Sequence, residues 1–552
     1  MHRLRGAALA LLLVRTAAKT PKTNMTRSLA AVVEDAMKAS VKQYAQVKTK
    51  KDAQQIVRDI FSVPSKEEMN LGKILILNGR VFANRHEGKV YGHLVNTARA
   101  LKERNDVGNL AYLHESGASG RCVTNKDGKH ITDLPTTLIA RDGYSADRCG
   151  VLVPNPYFGN LDHRQREDDR LLRAAELHEY DARTPRAFWR GHLRQTRSAH
   201  TKDGVLYDKN EKPWTLHRFC ERESGNVARF QGFLLTLQRP DLFDVKAQKI
   251  EGERWFNPSH LRKYNCTRGL FDQMRPGDLE ELLGRFKGGE AQDVNHTAPV
   301  DYAKYRILAH FPGSTSGSYS RNLNHLWAMG APVMIWDHPA QEHYYAALAD
   351  GVTHVVFNAT TATGVAERLL RHNKGITKRL RQGAGRVQRE LTCASCLNDY
   401  LLATFAELRS RFRGDLALGT KEAARATLRG VDCSGHDLVE YVPDVDMTMS
   451  GHNTDRGIRK LPPATTRASR TFAPLSKVSL APAQRNCAGP SLRRSAMQRT
   501  TTPSLSLPAW VALLTGVQPE VHGLLGNRGP PELTYSSLLS LTSELNVSAV
   551  SV

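Results

Sequence analysis

Three features of the 552-residue sequence predict an α/β fold. Short apolar runs of strand length recur as far as Asn358, and helix-length polar segments separate them. The run at 305–310 is short and apolar, which is typical of a strand buried in a parallel sheet. The glycine- and serine-rich turn that follows it leads into a helix-compatible segment. The sequence therefore predicts strands that alternate with helices.

The predicted elements follow in order along the chain. Strands are predicted at 73–77, 110–113, 136–140, 151–153 and 187–189, before the strand at 305–310. Helices are predicted at 164–179 and 225–237 and, near the end of the ordered part, at 363–390 and 396–412. Residues 24–68 form a helix-compatible lead, which is expected either to pack on the body or to form a stem. Beyond Gly414 order is expected to fall, because 465–499 has too little apolar surface to offset the entropy of ordering.

The N-terminal residues, the cysteines and the net charge indicate the cellular compartment and the classes of partner that are expected. Basic residues followed by the apolar run Ala7–Val14 predict a secretory signal at 1–20, and an organelle transit peptide is the alternative. Eight cysteines are compatible with a few disulfides in an oxidising compartment. A formal charge of +23 favours an anionic partner, but without an RRM-, KH- or zinc-finger-like motif we expect no nucleic-acid binding. No apolar run is long enough to span a bilayer, so no transmembrane span is expected.

The turn after the strand at 305–310 is the first candidate site. Gly313 opens it, and Ser318, Ser320 and Arg321 precede the helix-compatible segment. Free backbone N–H groups and the positive end of a helix dipole attract anions, so a phosphate or diphosphate is the expected ligand. An ordinary strand-to-helix turn, in which glycine and serine only satisfy the backbone geometry, is an equally weighted alternative.

Other motifs carry weaker hypotheses. Cys393 and Cys396 form a C-x-x-C, interpreted as a structural or incidental pair because no second pair lies at zinc-ribbon spacing. Asp444-Val445-Asp446 has the D-x-D form of some metal and nucleotide sites, but it lies in a probable loop outside the predicted core. We therefore predict no metal site.

Two segments, in this order, resemble family 90 glycosyltransferases, the protein O-glucosyltransferases and capsule-associated xylosyltransferases. The first is Ala187-Phe188-Trp189-Arg190-Gly191, followed by Arg229. The second contains Lys304-Tyr305, the Gly313 loop, Ala328-Met329-Gly330, Glu342 before Tyr344-Tyr345, and His354-Val355-Val356. The resemblance covers roughly Ile74 to Leu408. It implies a GT-B-like fold, with two Rossmann-like lobes, closing C-terminal helices and a largely disordered tail.

The resemblance also implies roles for single residues. The donor-binding residues that it implies are Arg190, Gly191, Arg229, Gly313, Ser318, Ser320 and Arg321. Counting back from Gly330 places the family arginine on Asn322, so Arg321 fits only if the loop slips by one residue. The family's catalytic aspartate falls on Gly150, which leaves Asp147 as the nearest general base and Asp142 or Asp162 as further alternatives.

The expected function is an inverting, metal-independent transfer of glucose or xylose from a UDP-sugar to a protein or polysaccharide hydroxyl. No cofactor is expected, the UDP-sugar being a co-substrate, and the expected location is the lumen of the secretory pathway. The alternative is a catalytically impaired protein of the same fold that binds a nucleotide sugar or glycan. The implied domains are a lead at 21–70, an acceptor-side lobe at 71–215, a donor-binding lobe at 216–414 and a linker at 415–499.

Residues 500–552 resemble a different family, the type I phosphodiesterases and nucleotide pyrophosphatases. Ser506 lies at the position of the family nucleophile, before Leu507-Pro508. That chemistry needs two metal ions. Residues 456–500, directly upstream of the motif, contain no acidic residue that could bind them. We therefore predict a truncated fragment without phosphodiesterase activity.

Overall fold

The computed structural model describes most of the chain before Phe412 and one short segment after it. The described residues are 27–44, 50–63, 71–77, 79–84, 88–104, 107–117, 122–124, 129, 131–141, 143, 149–158, 161–194, 200–203, 205–208, 210–251, 258–266, 274–295, 297–313, 322–371, 374–412 and 439–441. Two compact units divide the chain, Met1–Gln484 and Arg485–Val552, and every described residue belongs to the first. The predicted signal at 1–20 and the fragment at 500–552 lie outside the described residues. Among the helices of the described part, none has the length and apolar character needed to cross a membrane.

Two large sheets and one hairpin contain the strands. In chain order the strands are β1 (Leu71–Leu77), β2 (Arg80–Ala83), β3 (Leu110–Glu115), β4 (Thr136–Leu138), β5 (Val151–Leu152), β6 (Thr184–Leu193), β7 (His200–Lys202), β8 (Val205–Tyr207), β9 (Phe243–Ile250), β10 (Tyr305–His310), β11 (Val333–Trp336), β12 (Val355–Phe357) and β13 (Val439–Tyr441).

Helices connect and cover these strands. They are α1 (Leu29–Val41), α2 (Lys50–Ser62), α3 (Gly88–Glu103), α4 (Leu161–Leu177), α5 (Leu216–Gln238), α6 (Pro258–Lys263), α7 (Pro276–Lys287), α8 (Leu323–Leu326), α9 (Ala362–Arg371), α10 (Lys374–Val387) and α11 (Ala394–Ser410). A π-helix at Gln388–Thr392 joins α10 to α11. The single helix predicted at 363–390 is therefore wrong, because α9, α10 and the π-helix share that stretch.

The first sheet is mixed. Its strand order is β13-β2-β1-β3-β4-β5, and β1 pairs antiparallel with both β2 and β3, while β3, β4 and β5 are parallel. Gly79 has a φ of 73°, a conformation open to glycine, and here the chain reverses from β1 into β2. This reversal makes the sheet differ from the predicted Rossmann-like lobe.

The second sheet is parallel throughout, with the order β12-β11-β10-β6-β9. Strand β10 coincides with the predicted run, and the four residues from Ile307 to His310 are buried. Helix α5 covers the sheet between β6 and β9, and seventeen of its residues are buried. Burial on both faces accounts for the continuous apolar runs in the sequence of this sheet.

Helices α1 and α11 link the parts that carry the two sheets. Val33, Met37 and Val41 of α1 are buried, so the predicted lead packs on the body over this stretch. The α1 end at Leu29 donates its backbone N–H to Glu390 of the π-helix at 2.7 Å. Tyr400 of α11 donates its hydroxyl to the carbonyl oxygen of Leu152 in β5 at 2.8 Å.

One short strand lies in the predicted linker at 415–499. Strand β13 pairs antiparallel with β2, and Glu440 lies opposite Phe82. The segment Val439–Tyr441 therefore extends the first sheet by one edge strand.

Three disulfides occur among the described residues. Cys122–Cys149 and Cys220–Cys266 close loops with sequence separations of 27 and 46, and Cys393–Cys396 spans a separation of 3. Loop-closure entropy predicts about 3.5 to 4 kcal/mol of stabilisation for each of the two longer loops and about 2 kcal/mol for the shortest. The first two are thus the main covalent supports of the fold.

A buried ion pair in α4 generates the first prediction. Arg164 and Asp168 are joined at 2.7 Å and are both almost fully buried, and Arg164 also donates to the carbonyl oxygen of Asn324 at 2.7 Å. Replacing Asp168 by alanine leaves a buried guanidinium without its counter-charge, so Asp168→Ala should lower the free energy of unfolding by about 3 to 5 kcal/mol. Urea denaturation measures the change.

The matched control lies one residue away. Glu167 pairs with Arg170, whose side chain is 53% exposed, so Glu167→Ala should lower the free energy of unfolding by no more than about 1 kcal/mol. Equal losses for the two variants would contradict the role of the buried pair.

Buried histidines generate the second prediction. Burial lowers the pKa of His93, His310, His325 and His343 to about 3. The unfolded chain binds these protons from about pH 6.5 downward and the folded chain does not. Stability is therefore fully present above about pH 6.5 and declines as the pH falls toward 3, by up to about 1.4 kcal/mol per pH unit for each histidine. Urea denaturation between pH 7.5 and about 4.5 tests this expectation.

A single substitution separates the histidines from other titrating groups. The Nδ1 of His343 is buried without a hydrogen-bond partner among the described residues, and its ring packs edge-on against Phe158. His343→Phe should therefore reduce the acid sensitivity of unfolding by up to about 1.4 kcal/mol per pH unit. An unchanged pH dependence of the unfolding free energy would show that His343 does not contribute to the acid sensitivity.

Candidate functional site

The second sheet has a topological switch point between β6 and β10. After β6 the chain crosses through α5 to β9 on one side of it, and later places β10 on its other side. Both strands are parallel, so their carboxyl ends meet at one edge. In open α/β sheets, ligands bind outside the carboxyl ends of the strands at such a point. We call this place the β6/β10 edge; it comprises Gly191–Leu193 and His310–Gly313.

Arg229 of α5 reaches the β6/β10 edge. Its Nε donates to the carbonyl oxygen of Pro312 at 2.9 Å and its Nη1 to that of His192 at 2.7 Å. The residue is only 8% exposed, and no carboxylate of the described residues forms a salt bridge with it. Burial, assisted by the nearby Arg194, lowers the pKa of its guanidinium to about 9. Among the described residues, two carbonyl oxygens and the ring of Trp189 stabilise the positive charge, and an arriving anion would supply the missing counter-charge.

Aromatic packing holds this guanidinium in place. Its carbon lies 5.2 Å from the ring centre of Trp189, which is fully buried. A Cβ on Gly191 would lie 2.3 Å from that ring, and a Cβ on Gly232 would lie 2.5 Å from the ring of Phe311. The structure therefore gives Gly191 a packing role beneath Arg229, and the predicted approach of its N–H to the donor stays a prediction.

The loop after β10 is only partly described. Gly313 is buried at its beginning, whereas Ser318, Ser320 and Arg321 lie outside the described residues. The helix expected to direct its N-terminus at the anion is α8, which is four residues long, so its dipole contributes little. Asn322 donates its side-chain amide to the carbonyl oxygen of Arg190 at 2.8 Å and to the hydroxyl of Tyr302 at 3.0 Å. Asn322 therefore fastens the end of the loop to β6.

Arg190 has a different environment from the predicted one. Its Nη2 pairs with Asp244 and its Nε with Asp293, each at 2.9 Å, and its Nη1 donates to the carbonyl oxygen of Asp244 at 2.7 Å. The side chain is 6% exposed. Two carboxylates thus neutralise this guanidinium inside the fold, and the interpretation of Arg190 as a donor contact is not supported by its placement.

Ser224 and His338 form a hydrogen bond near the β6/β10 edge, but the histidine does not activate the serine as a nucleophile. The Nε2 of His338 lies 2.9 Å from the hydroxyl of Ser224, and its Nδ1 accepts the backbone N–H of Ala340 at 3.1 Å. Burial lowers the pKa of His338 to about 4, so the ring is neutral and its one hydrogen sits on Nε2. Because Nε2 donates to Ser224, the ring cannot remove the proton of that hydroxyl.

A cleft opens where α1, the end of β5 and the segment after β11 come together. Its volume is about 660 Å³. Small or polar residues of α1, among them Ala36 and Ser40, line the cleft together with Asp337 and Glu342. This volume lies within the range of small-molecule sites, which is roughly 300 to 1,000 Å³.

Glu342 is a buried carboxylic acid in the wall of this cleft. Its Oε2 accepts the side-chain amide of Asn155 at 2.6 Å, and its Oε1 has no hydrogen-bond partner among the described residues. Burial raises the pKa of the carboxyl to about 8. A carboxyl with a pKa near neutrality can gain or lose a proton during a reaction. Asp337, which is exposed in the same cleft, is the second carboxyl there.

The position of the family base holds a glycine for a local reason. Gly150 has a φ of 74°, and a Cβ on it would lie 2.6 Å from the side chain of Leu138. Neither the backbone nor the space accommodates an aspartate there. Asp147 and Asp142 lie outside the described residues, as does the side chain of Asp162.

Sequence reasoning did not single out Asp337 or assign a role to Glu342. The signal available was the position of Asp337 directly after the buried strand β11, with Glu342 in the segment that follows, since the carboxyl ends of parallel strands collect functional residues. No group of histidine, cysteine, aspartate and glutamate suited to a metal ion occurs in the part of the chain that the structure describes.

Comparisons with known proteins place the chain in no family. No protein-family model matches the sequence, and no curated protein matches it.

The contrast between the two buried arginines gives a prediction. Arg190→Met strands Asp244 and Asp293 without a counter-charge and should lower the free energy of unfolding by about 3 to 5 kcal/mol. Arg229→Met removes a buried charge together with two carbonyl contacts, so the two effects should offset to within about 1.5 kcal/mol. Urea denaturation of both variants checks this, and a larger loss for Arg229→Met would assign it a structural role.

Proposed function

We propose that the chain is a glycosyltransferase that moves a sugar, glucose or xylose, from a UDP-sugar to a hydroxyl of a protein or glycan. The proposed reaction is inverting and needs no metal ion. The proposed architecture is GT-B-like, with the donor at the β6/β10 edge and the acceptor in the 660 Å³ cleft. The resemblance of the two sequence segments to family 90 glycosyltransferases motivates this proposal, and the environment of Arg229 is the observation that carries it.

Arg229 suits the departing group of such a reaction. Glycosyl transfer from a UDP-sugar places negative charge on the leaving diphosphate, and a preorganised cation stabilises that charge as it develops. The guanidinium lies at the switch point of a parallel sheet, is buried, and has no carboxylate partner among the described residues. Arg321 remains proposed as a second cation from the loop after Gly313.

The cleft suits an acceptor that carries hydroxyl groups. Carboxyl oxygens accept hydrogen bonds from hydroxyls, and Asp337 and Glu342 supply two carboxyl groups. An inverting transfer needs a group that takes the proton of the attacking hydroxyl. Asp147 is retained as the proposed base from the sequence, and Glu342 is a second candidate because its pKa is raised to about 8 by burial.

A catalytically impaired binding protein is the second candidate function. The observation that favours it is Gly150, whose positive φ and contact with Leu138 leave no room for the family aspartate. Such a protein would bind UDP through Arg229 and would not turn over.

The disulfides bear on the proposed location. Three of them occur among the described residues, and disulfides persist in oxidising compartments. They support the proposal that the chain matures in the lumen of the secretory pathway.

UDP affinity tests the proposed donor site. Arg229→Met removes a charge-assisted contact and should weaken UDP binding by about 1.5 to 3 kcal/mol, which is roughly 10- to 150-fold. Isothermal titration calorimetry with UDP measures this. The control is Arg239→Met, because Arg239 lies just beyond the end of the same helix and pairs with Asp241 and Glu367. Equal UDP affinity for wild type and Arg229→Met would refute the donor site.

Turnover separates the two candidate functions. Purified full-length protein is incubated with UDP-glucose or UDP-xylose, with and without acceptor peptides and glycosides, and UDP release is followed. Acceptor-dependent release that is lost in Asp147→Asn or in Glu342→Gln, with UDP binding retained, would identify the base. UDP binding without release from any donor would favour the impaired binding protein.

A further inference from the structure

The Cys393–Cys396 disulfide joins no separate parts of the fold. Cys393 is the N-cap of α11 and Cys396 lies in the first turn of the same helix, so the bond spans three positions of one segment. By contrast, Cys220 of α5 is joined to Cys266, which follows α6, 46 residues along the chain. Opening Cys393–Cys396 therefore releases no contact between distant elements.

The sulfur of Cys393 lies among hydrogen-bond donors. It accepts the backbone N–H of Cys396 at 3.1 Å, and the hydroxyl of Ser395 lies 3.3 Å from it. The N-terminus of α11 adds the positive end of a helix dipole. Donors of this kind stabilise a thiolate, which is the reactive form of cysteine.

The sulfur of Cys396 has the opposite environment. It lies 3.0 Å from the carbonyl oxygen of Arg389, which can only accept a hydrogen bond. A reduced Cys396 would keep its proton and donate it to this oxygen. These contacts favour the thiolate form of Cys393 and the thiol form of Cys396 once the bond is reduced.

The surroundings of the pair also admit a partner. Both cysteines are partly exposed, and Ser395 between them is exposed. The π-helix Gln388–Thr392 ends directly before Cys393. Such π-turns inside helical stretches are frequent at functional sites.

We propose that Cys393–Cys396 is a thiol–disulfide exchange site that reacts with an external dithiol. A thiolate of the dithiol attacks the sulfur of Cys393, the Cys393–Cys396 bond breaks, and the sulfur of Cys396 leaves and takes up a proton. The second thiolate of the dithiol then attacks the mixed disulfide and releases Cys393. The dithiol loses two electrons and two protons to become a disulfide, and the protein gains the two electrons. Cys396 takes up one proton as a thiol, Cys393 is released as a thiolate, and the second proton passes to solvent. This site is independent of the proposed glycosyl transfer.

Equilibrium reduction tests the site on the full-length protein. The protein is equilibrated with reduced and oxidised dithiothreitol in varying ratio, its thiols are alkylated, and each cysteine is quantified by peptide mass spectrometry. Cys393–Cys396 should be half reduced at a reductant ratio at least about tenfold lower than Cys122–Cys149, which serves as the internal control. Reduction of both at the same ratio, or of Cys122–Cys149 first, would overturn the proposal.

Single-thiol variants test the assigned roles of the two sulfurs. In Cys396→Ser the remaining Cys393 should react with 4,4′-dithiodipyridine with a thiol pKa at least about one unit below the ordinary 8.5. In Cys393→Ser the remaining Cys396 should react about tenfold more slowly at pH 6, because it is held as a thiol. Adding Ser395→Ala to Cys396→Ser should raise the thiol pKa of Cys393. Equal reactivity of the two cysteines, or an ordinary pKa for Cys393, would overturn the proposal.

Discussion

A buried guanidinium held by carbonyl groups is the interaction on which the account of the second sheet depends. Taking a charge out of water is unfavourable unless a partner compensates it. Arg190 meets this condition inside the fold, through Asp244 and Asp293, whereas Arg229 meets it only in part, through Pro312 and His192. Two arginines that look equivalent in the sequence thereby differ in the structure. Two carboxylates neutralise Arg190, whereas two carbonyl oxygens hold Arg229, which we propose as the anion contact.

Local pattern was enough to predict some parts of this structure. Strand β10 is buried at most of its positions, so its apolar run predicts it directly. Arg229 was named only through the family resemblance, and its role in donor binding stays a prediction. Local pattern could not predict that Arg190 forms buried ion pairs, because its partners Asp244 and Asp293 follow it by 54 and 103 residues. Gly191 was assigned to ligand approach, yet its missing Cβ makes room for Trp189, a contact that only the three-dimensional packing defines.

Helix α11 connects the disulfide Cys393–Cys396, the cleft and the first sheet. Helix α11 begins at the Cys393–Cys396 pair, contributes Tyr400 to the cleft and fastens that residue to Leu152 of the first sheet. Just before it, Glu390 accepts the backbone N–H at the N-terminus of α1, and small residues of α1 also line the cleft. The fold thus builds the cleft from elements distant in sequence, which explains why sequence motifs left Asp337 and Glu342 unassigned.

The most direct measurement of the central claim is a crystal structure of the full-length protein with UDP. The account predicts the diphosphate above the carboxyl ends of β6 and β10, with a phosphate oxygen within about 3.2 Å of the guanidinium of Arg229. UDP bound elsewhere, or a guanidinium of Arg229 that still contacts only the carbonyl oxygens of Pro312 and His192, would contradict it.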